Sequence, residues 1–199
     1  MGRTIDYYLA PQSPWTYLGH DRLVRLAREH GASVRVLPMD LGQIFPVSGG
    51  LPLPKRAPQR LAYRLVELKR FSEALALPLN LHPVFFPVVG DAAARLIACV
   101  AQHDGQDAAL DLTGRLLRAV WVEEKNIADA ETLAAVLHDA GLPAARQAQA
   151  AEPAVQSAYA EATQSAIDIG VFGAPSYVID GEIFWGQDRL DFVARKLRG

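Results

Sequence analysis

The sequence predicts an α/β fold in which the two ends of the chain build one sheet and the middle is a long helical insertion. Three observations carry this. The first 38 residues read strand, helix, strand; no convincing alternating segment occurs from Met39 to about Ala151; and an Asp-Gly dipeptide near the C-terminus sits between two short β-prone runs.

Ile5 to Leu9 is an apolar and aromatic run ended by Ala10-Pro11, the pattern of a buried strand entering a loop. Ser13 then suits a helix N-cap, with Pro14 at the first helical position where a missing N–H does no harm, and Gly31 stops the helix. Leu23, Val24, Leu26 and Ala27 supply its apolar face. Ser33 to Leu37 alternates like a strand and meets Pro38, so the opening unit favours a parallel pair.

The insertion begins with Phe45 to Pro54, dense in proline and glycine and expected to be an ordered, irregular loop. Asp91 and Asp129 are expected N-caps of helices over Ala92–Ala101 and Ala130–Asp139, and Leu110, Leu117, Val120 and Trp121 mark one face of a helix between them. Beyond it, Pro153 to Ile169 carries a stripe of Val155, Ala158, Ala162, Ala166 and Ile169 before Gly170. Asp180-Gly181 suits the two left-handed positions of a type I′ hairpin turn. A closing helix from about Gln187 is expected to bury Leu190, Val193 and Leu197. This element order is that of a thioredoxin-like fold, an α/β fold here with a large all-helical insertion: residues 1–38 and 153–199 form the thioredoxin-like domain, residues 39–152 the insertion domain.

Composition narrows the function classes. Half of the 199 residues are hydrophobic and 21% are charged, enough apolar material for a full core. The 20 basic against 22 acidic side chains leave a formal charge of −2, too even to predict a nucleic acid or an anionic membrane as partner. Asp6 interrupts the first apolar stretch, so neither a signal peptide nor a membrane anchor is expected there. A single cysteine, Cys99, excludes an internal disulfide and a cysteine-based zinc site, and with it a cytoplasmic location is expected. Cys99 reads as a packing residue of an apolar helix, and the five histidines, mostly placed in helix tails or loops, show no metal-ligand spacing. No metal is expected, and the glycines form no nucleotide-binding fingerprint.

Three segments can carry chemistry. At Ser13-Pro14-Trp15-Thr16-Tyr17-Leu18-Gly19, a group at a helix N-terminus meets free backbone N–H groups and the positive end of the macrodipole, which favour a bound thiolate. Ser13 either donates to such a sulfur anion or only caps the helix. Val171 to Val178 holds Ala174-Pro175 just before a strand, and Phe184-Trp185-Gly186-Gln187-Asp188-Arg189 opens the last helix, where Asp188 is either a ligand for an ammonium group or simply a first-turn carboxylate.

The first segment resembles the active-site helix of DsbA-type oxidoreductases, with hydroxyls at both cysteine positions; disulfide exchange is then not expected, since neither Ser13 nor Thr16 can form a mixed disulfide. The third looks like the Trp-Gly-x-Asp-Arg stretch of kappa-class glutathione transferases and 2-hydroxychromene-2-carboxylate isomerases, and Gly49 to Pro54 with Arg60 to Tyr63 also resemble the isomerases. The pattern's asparagine before this stretch has no counterpart among Gly49, Gly50 and Leu51, and Ala10 stands where an acidic residue often precedes Ser-Pro. The resemblance implies glutathione as cofactor, Ser13 as the catalytic residue, and a cis Pro175 whose neighbour Ala174 pairs its backbone with the tripeptide. It further implies that Arg60 holds a glutathione carboxylate, that backbone donors at Gln187 and Asp188 hold another, and that Asp188 holds the γ-glutamyl ammonium. The implied reaction interconverts 2-hydroxychromene-2-carboxylate and trans-o-hydroxybenzylidenepyruvate in aromatic-hydrocarbon breakdown. A small aromatic substrate is expected in a cleft lined by Phe45, Tyr63, Phe85, Phe86 and Trp121, with His82 as a further contact. Relatives imply a homodimer. Two other readings stand beside this one: a kappa-class-like transferase or peroxidase using the same Ser13, and a non-catalytic thioredoxin-like binding module.

Overall fold

The computed structural model describes residues 2–199. Strand β1 (Thr4–Leu9), helix α1 (Pro14–Glu29) and strand β2 (Ser33–Pro38) form the opening unit, and β1 and β2 pair in parallel with Tyr7 opposite Val36. At the other end, α8 (Pro153–Asp168) leads to β3 (Ser176–Ile179), β4 (Glu182–Trp185) and α9 (Leu190–Arg198), which closes the chain after a 3-10 turn at Gln187–Arg189. β3 returns antiparallel along β1, and the sheet order is β2-β1-β3-β4. Asp180 and Gly181 both adopt positive φ, 52° and 80°, as a type I′ turn demands.

β1 is covered on both faces, which is why its sequence is nearly continuous apolar rather than alternating. Ile5, Tyr7 and Leu9 join α1, α4, α5 and α9 residues in the larger hydrophobic core, while Tyr8 and Ala10 face a second cluster with Met39, Ile44, Ala166 and Val178. Asp6 sits at the strand's wet margin, where Arg35, its register partner on β2, forms a two-pronged ion pair with it.

Between β2 and α8 come α2 (Leu41–Ser48), a 3-10 turn at Leu53–Lys55, α3 (Pro58–Leu75), α4 (Asp91–His103), α5 (Gln106–Trp121), α6 (Ala130–Asp139) and the short α7 (Ala145–Gln149). No strand interrupts them among the described residues. α4 packs on β2 and α5 on α1, so Leu96, Ile97, Val100, Leu112 and Leu116 share the larger core with the strands. Cys99 is fully buried in that core.

Several local expectations need correction. Phe45 to Ser48 is helical, not loop: Asp40 caps α2 by accepting from the Gly42 N–H at 2.7 Å, Ile44 is fully buried, and Gly49 ends the helix in the left-handed region. Burial of Ile44 outweighs the backbone bond lost at Pro46. Gly90, not Asp91, is the N-cap of α4; the Asp91 carboxylate instead accepts from the Tyr159 hydroxyl of α8 at 3.3 Å. Asp129 does cap α6, accepting from the Thr132 N–H at 3.0 Å. Ile169 lies beyond the end of α8 and is exposed, because Gly170 turns the chain away at φ 85°. Ile44 is the one fully buried anchor of α2, so Ile44→Ala is expected to lower unfolding free energy by about 2–4 kcal/mol in urea denaturation.

Candidate active site

The turn after β1 sets the start of α1. Ser13 adopts extended angles (φ −79°, ψ 125°), its N–H donates to Ala10 O at 3.0 Å, and its Oγ accepts from the Thr16 N–H at 3.2 Å. The cap uses Oγ as an acceptor and leaves the hydroxyl proton free, so capping and donating to a sulfur anion are compatible roles. Pro14 brings no N–H, and the Trp15 N–H lies in the unbonded first turn. Ser13 is 7% exposed, and the Thr16 hydroxyl beneath it is fully buried with no hydrogen-bond partner among the described residues.

Antiparallel pairing of β1 with β3 places Tyr8 opposite Ser176, so the segment entering β3 runs beside the loop leaving β1. The Ala174–Pro175 bond is cis. Pro175 O accepts from the Gly186 N–H at 2.9 Å, whereas the backbone N–H and C=O of Ala174 have no partner among the described residues. Phe172 and Trp185 lie beside this segment with their rings tilted and 4.8 Å apart, and both are exposed.

At the last turn the backbone and the side chains face different ways. The N–H groups of Gln187 and Asp188 open the 3-10 turn without intrahelical acceptors, and Asp188 is exposed beside Arg189 at 2.6 Å. The Gln187 side chain, however, points inward: it is 2% exposed, and Arg22 of α1 donates both to its Oε1 at 2.7 Å and to its carbonyl at 3.1 Å. Gln187 therefore offers a ligand its backbone only. Gly19 permits this close packing, since a Cβ there would lie 2.7 Å from the Tyr177 hydroxyl and 3.0 Å from the Gln187 Cβ.

Behind the helix start lies a buried polar group that sequence reasoning missed. His20, which falls inside the helix expected between Ser13 and Gly31, is buried in the middle of α1, with Nδ1 3.3 Å from the Tyr7 hydroxyl and Nε2 3.0 Å from Leu110 O. Burial lowers its pKa, against the opposing pull of Asp21 and Asp111. Tyr177 stacks on Tyr7 at 5.6 Å, and burial raises both phenol pKa values. The one signal was positional: Thr16, His20 and Leu23 share one face of α1.

The insertion closes on the same end of α1 through α3. Trp15 meets Phe71 edge-on at 6.1 Å, the Tyr17 hydroxyl donates to Pro78 O at 2.6 Å, and Gly90 lies against the Gln12 side chain. Of the expected cleft residues, Phe45 and Phe86 are half-buried, and Tyr63, Phe85 and His82 are exposed. Trp121 is a correction: it is fully enclosed in the core, its ring 4.7 Å from Phe86, and walls no cleft. Arg60 is exposed on α3. One turn further, Arg64, which sequence reasoning also missed, is half-buried with its guanidinium 5.2 Å from the Phe86 ring centre and 5.9 Å from that of Trp121. Two surface concavities, about 660 Å³ around Arg3, Arg35 and Asp180 and about 160 Å³ around Ala92, Leu133 and Ala150, border neither Ser13 nor Pro175. The described residues hold no cluster of metal-ligating side chains, and none of their helices is long and apolar enough to cross a membrane.

A helix N-terminus carrying a hydroxyl, facing a proline loop in a four-stranded sheet with an inserted helical region, defines a class. Residues 4–198 match the family model of the DSBA-like thioredoxin domain, and the chain belongs to that family. It is 31% identical to the 2-hydroxychromene-2-carboxylate isomerase of Sphingobium xenophagum over 97% of this chain and 97% of that one, which places it in the 2-hydroxychromene-2-carboxylate isomerase family. The solved structure of a 2-hydroxychromene-2-carboxylate isomerase superposes with a TM-score of 0.82 at 26% identity, covering 98% of this chain and 94% of that one. Glutathione S-transferase kappa 1 of Homo sapiens is related as well, 26% identical over 98% of this chain and 91% of its own.

Gly19→Ala is expected to force Tyr177 and Gln187 apart and cost about 1–3 kcal/mol, read as a lowered Tm. His20 is held neutral in the fold, so the unfolded chain takes up its proton first as pH falls. Stability is therefore expected to decline as pH drops below about 6.5, and His20→Gln should flatten that decline in denaturation curves measured at a series of pH values.

Proposed function

We propose that the chain is a glutathione-dependent isomerase interconverting 2-hydroxychromene-2-carboxylate and trans-o-hydroxybenzylidenepyruvate, or a close analogue. The observation that carries this reading is Ser13, a hydroxyl that caps α1 through its oxygen and keeps its proton available at the helix's positive end. The residues present suit an extended tripeptide. Ala174 offers a free backbone N–H and C=O, the turn at Gln187 and Asp188 offers two unpaired N–H groups, and the exposed Asp188 carboxylate suits an ammonium.

When bound, glutathione supplies a thiol of ordinary pKa about 8.5 whose anion can add reversibly to a conjugated double bond and so allow rotation about it. The chain's part is to favour that anion. Ser13 Oγ–H and the Trp15 N–H are donors at one point, and the α1 dipole adds positive potential there. Arg60, exposed on α3, is assigned a carboxylate of the tripeptide, which its guanidinium can meet with a two-pronged fork.

A second reading, transfer of glutathione to an electrophile, draws support from the kappa-class relative and uses the same donors. Product analysis separates the two: an isomerase returns glutathione unchanged, a transferase consumes it.

Calorimetric titration with glutathione is expected to show binding that Asp188→Ala weakens by roughly tenfold, the worth of one charge-assisted contact. Ser13→Ala is expected to lose about 1 kcal/mol of stability with the cap and to lose most isomerisation. Ser13→Asp keeps the cap but sets a carboxylate against the sulfur, so normal stability with abolished turnover is the expected result. Full turnover in Ser13→Asp would overturn the reading.

A further inference from the structure

Three arginines of the insertion converge without a carboxylate among them. Arg60 and Arg64 are one turn apart on α3, and Arg56 precedes the helix, close enough that Arg56 feels the charge of Arg60 and Arg64 that of Arg56. None of the three forms an ion pair among the described residues. Arg56 is occupied, its Nε donating to Leu51 O at 2.8 Å and its guanidinium 5.9 Å from the Phe45 ring centre. Arg60 is exposed.

Arg64 differs from both. It is partly withdrawn from water over the faces of Phe86 and Trp121, yet none of its N–H groups meets an acceptor among the described residues. A guanidinium so placed is poorly solvated and unpaired, and burial together with Arg56 pushes its pKa down to about 10, which still leaves it cationic at neutral pH. It also faces the right way. Phe71, seven residues on and therefore on the same stripe of α3, packs against Trp15 in the first turn of α1, two residues from Ser13.

We infer that Arg64 is the specificity residue that holds the carboxylate of an aromatic substrate, leaving Arg60 to the tripeptide. The choice of carboxylate rests on the isomerase reading, since both partners of that reaction carry one beside an aromatic ring. A planar fork in a partly dry, aromatic-walled position discriminates an acid from its neutral isostere more strongly than an exposed arginine can, because water screens the latter.

The test uses an unreactive probe, trans-2-hydroxycinnamate, and its primary amide, titrated calorimetrically into the full-length protein. Wild type is expected to bind the acid roughly tenfold or more tightly than the amide, and Arg64→Gln to bind the two alike. Arg64→Lys retains stem and charge without the fork, and is expected to keep part of the preference; it covers the event that the glutamine variant does not fold. Absence of acid binding by wild type at millimolar probe, equal binding of acid and amide, a preference that survives Arg64→Gln, or one that disappears in Arg60→Gln instead, overturns the assignment. An acid preference lost in Arg64→Gln, in a protein that fails to isomerise 2-hydroxychromene-2-carboxylate, would sink the isomerase reading while the carboxylate anchor stands.

Discussion

The antiparallel pairing of β1 with β3 is the contact on which the candidate site depends, because it joins segments that are more than 160 residues apart in the chain. Tyr8 opposite Ser176 puts the loop that ends in Ser13 beside the loop that holds Ala174 and Pro175. Parallel pairing with β2 on the other edge then turns α1 back across the sheet, with its N-terminus at the same end. A slip of β3 by one residue along β1 would carry Tyr177 and Ile179 out of the larger core, so the register is held by the burial of both faces.

That geometry has a polar cost beneath the site. The buried face of α1 carries Thr16 and His20 against Tyr7, Tyr177 and Gln187, and several of these groups have little hydrogen bonding to offset their removal from water. Gly19 and Arg22 make it tolerable: the glycine lets Tyr177 and Gln187 approach, and the arginine satisfies Gln187 twice. The outer side of Gln187 and Asp188 is thereby left with free backbone N–H groups.

The insertion contributes in a different way. α4 and α5 belong to the core, while α3 buries only Leu68 completely and meets α1 through the Trp15–Phe71 contact, with the segment after it held by the Tyr17 to Pro78 hydrogen bond. A helix held by so few contacts is one whose cations can stay unpaired, because few neighbours reach them. Arg60 and Arg64 then divide by depth, the first in water and the second against aromatic rings.

Much of this was written locally. Ser13-Pro14 and Asp180-Gly181 announce a helix start and a hairpin through constraints that act within a few residues, and the alternation of Ser33 to Leu37 announces a strand, so the fold and the position of the hydroxyl at the start of α1 were legible. Expectations failed where a residue's environment comes from distant chain: Pro46 sits in a helix because Ile44 is buried, Asp91 answers Tyr159 rather than its own helix, and Trp121 is core rather than cleft. Arg64 belongs to this second group. By itself the sequence determined the elements, their order and the chemistry at the start of α1, since dihedral preference and hydrophobic period are properties of neighbouring residues. Only the tertiary structure decided which polar side chains are buried, which cations go unpaired and which aromatics are enclosed, because burial is set by packing between segments that the sequence keeps far apart.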